Sequence, residues 1–437
     1  MLALRPLPPA SPRTKGSVPM KIRGSRLAAS ITLLTLTTGF TAACGDSGGS
    51  DKSLTLWMYP VITDVQANNA YWKKIETDFE AANSGTDLKI ELQPWDGRDT
   101  KVATALSGGK GPDVVLLGPD QVPQYVANGT LRPVDGAVSS AKSAFLPNAL
   151  SALSVDGKLY AVPIYHTVTS MIFNKKLLAK AGIDTPPQTW DEIRAAAPKL
   201  KAKGYATLDY SASPEASLNM NFYPLLWQAG GSVFSPDGKK AAFNSPEGLE
   251  ALTFLTDLYK DGAVPKSALT NKNVVADQAL GKQQVAAGLM NVPADAEIAA
   301  KTWGQENVVV GMPLMGKKRV GFGIPGGLAV NARSKHTGAA EKFLKFMIDP
   351  KQITSLGTAS GFVSPRTDVK VPAPNPRAAK FAEALQYTYP GDANPSARQV
   401  MALLRTEIQA ALTGKKTPKQ ALEDAAKQAD DLLARQR

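Results

Sequence analysis

Hydrophobic and polar positions follow two periods along this chain, and stretches of one alternate with stretches of the other. Leu54-Thr55-Leu56-Trp57-Met58 is a short apolar run of strand type, and Leu88-Lys89-Ile90-Glu91-Leu92 changes face at every residue, as a half-buried strand does. Between them Trp72, Ile75 and Phe79 recur at helical spacing, which predicts a helix over 71–82. A second helix is expected over 100–106, and a fully buried strand at Asp113-Val114-Val115-Leu116-Leu117. This strand–helix–strand order implies parallel βαβ units and therefore an α/β fold. Further strands are expected at 170–174, 284–290, 308–310 and 328–330, with helices over 175–181 and 339–348. Several helix starts carry their own signals. Thr189 and Glu192 form a capping box, Ser245-Pro246 is a cap followed by a first-turn proline, and Thr417 to Gln420 repeats the box before the last helix.

Ahead of the first strand the pattern changes. Lys21, Arg23 and Arg26 precede an uncharged run from Leu27 to Ala43, and the small residues Ala42 and Ala43 lead into Cys44. A charged segment, a short apolar segment and small residues before a cut describe a secretory signal peptide over 1–43, with Met20 as an alternative start. The apolar segment is shorter than the roughly 20 residues that a membrane span needs. Residues 44–51 then read as a cysteine followed by a Gly/Ser-rich flexible linker. Ending the signal on Cys44 resembles the lipobox of bacterial lipoproteins, in which this thiol is lipidated; Thr41 stands where that pattern usually has leucine. The resemblance implies an exported protein on the outer face of the cell membrane, anchored through Cys44.

Charge and cysteine content then narrow the function. The net charge of the whole chain is +12, but the first 43 residues hold six of the 50 Lys and Arg and none of the 38 Asp and Glu. Without them forty-four cations face thirty-eight anions, a charge of +6 with no concentrated basic stripe, so nucleic-acid binding is not expected. Cys44 is the one cysteine, so the exported body has no thiol for disulfides or thiolate metal sites. Only His166 and His336 are histidines, too few for a histidine-rich zinc site. Gly321-Phe322-Gly323-Ile324-Pro325-Gly326 matches G-x-G-x-x-G, yet a strand candidate follows it rather than the helix a dinucleotide needs. No phosphate-loop motif occurs. Neither a cofactor nor a metal nor catalysis is expected.

Four stretches resemble the extracellular solute-binding proteins, family 1, the maltose-binding-protein-like subunits of carbohydrate ABC importers. They are Gly111-Pro112-Asp113-Val114-Val115 leading to Asn128-Gly129-Thr130-Leu131-Arg132-Pro133; Tyr160-Ala161-Val162-Pro163 through Phe173-Asn174-Lys175-Lys176-Leu177-Leu178 to Pro186-Pro187-Gln188-Thr189-Trp190-Asp191-Glu192; Trp227-Gln228-Ala229-Gly230-Gly231; and Ala411-Leu412-Thr413-Gly414 through Leu433. The resemblance implies a two-lobed periplasmic-binding-protein-like fold of type II with a multi-crossing hinge. Lobe one would be 52–162 plus 313–348 and lobe two 165–310 plus 350–437, with crossings near Pro163, Met312-Pro313 and Asp349-Pro350. It also implies a sugar ligand in the interlobe cleft, ABC permease partners and a monomer. The alternatives are the same fold around a polyamine, metal complex or peptide, and an exported glycan-active enzyme, for which a pair of carboxylates would suffice.

A neutral sugar has apolar C–H faces edged with hydroxyls, so its site needs aromatic rings and hydrogen-bonding edges in a concave cleft. Strand ends and adjoining loops offer Trp57, Tyr59, Trp95, Asp96, Tyr165 and His166. Family position adds Asp120, Trp227, Asn291, Gly326, Gly327 and Arg366. Trp72 and Trp190 are assigned to packing.

Overall fold

The apolar runs pair into two sheets. The computed structural model describes residues 53–271 and 275–435, all within one compact unit, Gly48–Arg437. The expected signal peptide, Cys44 and linker lie outside the described residues. The strands are β1 (Ser53–Met58), β2 (Asp87–Leu92), β3 (Val114–Leu117), β4 (Leu131–Arg132), a small hairpin of β5 (Ser154–Val155) and β6 (Lys158–Leu159), β7 (Ala161–His166), β8 (Ser170–Asn174), β9 (Ala206–Asp209), β10 (Val285–Asn291), β11 (Val308–Val310), β12 (Gly321–Phe322), β13 (Pro325–Asn331) and β14 (Thr388–Tyr389). The first sheet runs β2-β1-β3-β13-β4, with β7 also on β13. Its β1, β2 and β3 are parallel, and β13 is antiparallel to β3, β4 and β7. The second sheet runs β11-β8-β10-β9. Each packs its own core: Leu56, Phe79, Val115, Leu328 and Phe343 around the first, Phe173, Trp190, Leu226, Phe254 and Leu404 around the second.

Local chemistry accounts for the elements. The first helix spans Val65–Ala82 rather than starting at 71, because Asp64 caps it by accepting from the Ala67 N–H. Its first turn has no apolar stripe (Val65 is 72% exposed), so periodicity alone misses it. The Thr189–Glu192 box closes in both directions at the start of the Trp190–Lys201 helix. Trp190 stacks on Phe254 at 4.4 Å and donates its indole N–H to Gln228, a packing role as expected. The G-x-G-x-x-G stretch forms parts of β12 and β13, with no helix following it directly.

The chain crosses between the cores at other places than expected. Ile164 and Tyr165 belong to the first core, so β7 stays in lobe one through His166. Leu314 and Phe322 pack in the second core, so the return crossing comes at Gly323-Ile324, beyond Pro313. Ile353, Leu356, Phe362 and Val369 pack in the first core, whereas Phe381 packs against the second sheet. The third crossing therefore falls after Val369 and not at Asp349-Pro350. Proline misled because Pro163 is a strand residue and Pro350 opens the Pro350–Ser360 helix, where its missing N–H costs no hydrogen bond. The first two crossings are laced together: the Thr167 hydroxyl donates to the Ile324 carbonyl and accepts from the Ile324 N–H, and Thr169 does the same with Phe322.

Candidate ligand-binding cleft

Three parallel strands of the first sheet end at one edge, and the loops leaving them face the ends of β9 and β10. The space between is a cleft of about 640 Å³. Pro60–Thr63 follow β1, Trp95 and Arg98 follow β2, and Gly118 and Asp120 follow β3. Opposite them lie Asp209, Tyr210, Asn219, Asn291 and Asp295. Ligands of open α/β sheets bind beyond the carboxyl ends of strands for this topological reason.

The aromatic part of the site is fixed from behind. Trp95 is 40% exposed, and its other face stacks on the buried Tyr59 with ring centroids 4.7 Å apart. Its indole N–H donates to the Pro60 carbonyl at 3.1 Å, which sets the ring's tilt. The Arg98 guanidinium sits 4.7 Å from the Tyr59 ring and donates to the Leu116 carbonyl. Tyr165 leans on Phe362, and Phe322 lines the same wall. The cleft thus offers one open aromatic face and a tilted pair.

The polar part is acidic and partly self-neutralised. Asp120 accepts from Asn219 and pairs with Arg398, both at 2.9 Å, and Arg398 also pairs with Asp99 at 3.1 Å. The other Asp120 oxygen, Oδ1, has no protein partner, nor do Asp209 Oδ1 and Asn291 Oδ1. Burial pushes the Asp209 carboxyl up to about 7, with nearby Asp295 adding to the rise while the Tyr210 backbone and Asn271 oppose it. Burial likewise raises Asp295 to about 6, although its Oδ2 accepts from the Val292 N–H. Gly288 lets these groups converge: a Cβ there would sit 2.0 Å from Asn291 Oδ1.

Five of the twelve candidate residues line the cleft: Trp95, Asp120, Tyr165, Asn291 and Gly326. Tyr59 supports Trp95 without lining it. The other six are elsewhere. Trp57 donates to Glu91 and lies under Lys101. Asp96 is exposed in the turn where Gly97 adopts a φ of 70° to start the Arg98–Ser107 helix. His166 is buried and donates to the Thr167 carbonyl, with burial lowering its pKa. Trp227 is core, packed among Tyr223, Phe322 and Tyr389. Gly327 abuts Leu153 and Ala161 within the sheet. Arg366 is 8% exposed, paired with Asp368 and donating to the Ile348 carbonyl, so it holds loop to helix.

Comparison with known proteins gives this architecture its family. A family model described as bacterial extracellular solute-binding protein matches residues 63–354. The chain belongs to that family. Among its relatives is DasA, the diacetylchitobiose-binding protein of Streptomyces coelicolor, 27% identical over 414 residues that cover 88% of this chain and 90% of DasA. A binding protein of Brucella abortus is 27% identical over 370 residues, 83% of this chain and 90% of that one. A solved solute-binding protein from Thermotoga lettingae, bound to α-D-tagatose, matches with a TM-score of 0.77 at 24% identity, over 87% of this chain and 100% of that one. That likeness shows the two-lobed α/β fold, and the members of the family are binding proteins.

Arg98, Asp99, Asp209, Tyr210, Asn219 and Arg398 also line this family member's cleft, and motif reading did not select them. Asp209 and Tyr210 stand at the end of β9, so the strand-end rule that selected Trp95 would have found them had β9 been recognised. Arg398 sits in the first turn of the Ala397–Leu412 helix, and nothing in its local sequence marks it.

Proposed function

We propose that the protein is the sugar-binding subunit of an ABC importer, tethered through a lipidated Cys44 and passing its ligand to a membrane permease. The observation that carries this reading is the cleft itself, where the open face of Trp95 and the Tyr165–Phe362 pair stand among unpartnered oxygens of Asp120, Asp209 and Asn291. Rings cover the apolar face of a sugar, and acceptors take its hydroxyl protons. The near full-length likeness to DasA supports an oligosaccharide over a polyamine or peptide. Titration calorimetry with mono- and oligosaccharides tests it; tight binding of a polyamine or peptide with no sugar bound would refute it.

Two variants extend the test. Trp95→Ala removes the exposed platform and is expected to weaken sugar binding by about 1.5–3 kcal/mol, roughly 10- to 100-fold, in the same titration. Equal affinity would remove Trp95 from the site. Cys44→Ser is expected to move the protein from the membrane fraction to the medium. One lipid chain holds a protein only marginally, so the anchor would carry two or more.

A further inference from the structure

The ion pairs of Arg398 join the two lobes across the cleft. Asp99 and Asp120 belong to lobe one, and Arg398 and Asn219 to lobe two. The planar guanidinium has donors enough to engage both carboxylates at once. Asp99 is held in turn by Gln121, whose side-chain amide donates to it at 2.8 Å. The Asp120 and Arg398 side chains are 8% and 20% exposed, so water screens that pair little, whereas Asp99 is 49% exposed and its pair is screened more.

Beyond the bridge lies a second hollow, a groove of about 1050 Å³. Some of its lining residues adjoin the bridge. Gln124 lies four residues past Asp120, Gln399 follows Arg398, and a Cβ on Gly391 would lie 3.5 Å from Asn219 Oδ1. The groove repeats the chemistry of the cleft. Tyr389 is 38% exposed, packs edge-on against Trp227 and donates its hydroxyl to Asp392. Asp392 Oδ2 and Gln399 Oε1 are buried acceptors without a protein partner. The bridge thus stands between the two hollows: Asp120 and Arg398 line the cleft, their chain neighbours Gln124 and Gln399 line the groove, and Asn219 joins them through its bond to Asp120.

We propose that Arg398 is a specificity-determining bar, which confines a carbohydrate to the cleft and, when removed, lets a longer chain run on into the groove. This rests on the carbohydrate reading above. The test compares the wild-type protein with Arg398→Ala by calorimetry on maltooligosaccharides and chitooligosaccharides, from disaccharide to hexasaccharide. The ratio of hexasaccharide to disaccharide affinity is expected to rise at least about tenfold in the variant. A role confined to stability would weaken every oligomer alike, and an unchanged ratio overturns the proposal. A second readout needs no ligand. Spin labels at Asn128→Cys and Lys240→Cys, exposed positions on opposite lobes, are placed in a Cys44→Ser background. Their separation is expected to lengthen and broaden without Arg398, and an unchanged distribution overturns the bar. If neither protein binds any sugar, the carbohydrate reading fails, and the bar as a length filter falls with it whatever the labels show.

Discussion

Between about pH 4 and pH 8 the protein is expected to lose stability, on the order of 4 kcal/mol, through Asp209. The sign follows from the direction of the shift. The folded carboxyl has its pKa raised from 3.8 to about 7, chiefly by burial. Below the unfolded value both states are protonated, and the group favours neither. As pH rises through the window, the unfolded chain ionises while the folded one keeps its proton, so stability falls by about 1.4 kcal/mol per pH unit. Above the folded value both states are ionised and the loss is complete. Asp295, raised to about 6, adds a smaller loss of the same sign. Asp209→Asn should flatten much of the decline, which thermal melts at intervals across the range would reveal. Melting curves for variant and wild type that stay parallel with pH would show that Asp209 is not the group responsible.

Alanine at Gly326 is expected to damage both the fold and the cleft. The added Cβ would lie 2.1 Å from Tyr165 Cζ and 2.5 Å from its hydroxyl oxygen. Those residues are backbone partners across β13 and β7, so neither strand can shift without breaking the ladder. The ring must move instead, and Phe362 occupies one side of it at a centroid distance of 4.9 Å. The open direction is the cleft. Overpacking of this kind costs about 1–3 kcal/mol. The displaced ring should also weaken sugar binding by at least about tenfold, or 1.4 kcal/mol. A melting temperature and a sugar titration check the two effects separately, and a variant normal in both would contradict the packing described.

How much of this was legible in the chain follows from what kind of signal each feature leaves. The βαβ rhythm could be read because β1, β2 and β3 each bring their own apolar period, and a capping box is complete within four residues. Trp95 was legible because the strand before it is, and the loop after a parallel strand faces the cleft; Asp120 came from family position alone. The bridge was not, because Asp99, Asp120 and Arg398 are far apart in sequence and meet only when the lobes do. Arg366 misled for the opposite reason: a charge beside a proline gives no sign that Asp368, two residues on, will take it. The lobe boundaries misled because proline marks both helix starts and hinges, and only the packing of Ile353 and Leu356 tells which.

The threonine lacing at the hinge has a mechanical consequence. Two chain segments joined by backbone and hydroxyl hydrogen bonds are coupled, so one crossing cannot change its dihedrals without breaking these bonds or carrying the other with it. Any hinge motion of the lobes would therefore engage both crossings together. Thr169→Val would remove both hydroxyl bonds to Phe322 and so loosen the lacing at the floor of the cleft, which Thr169 also lines.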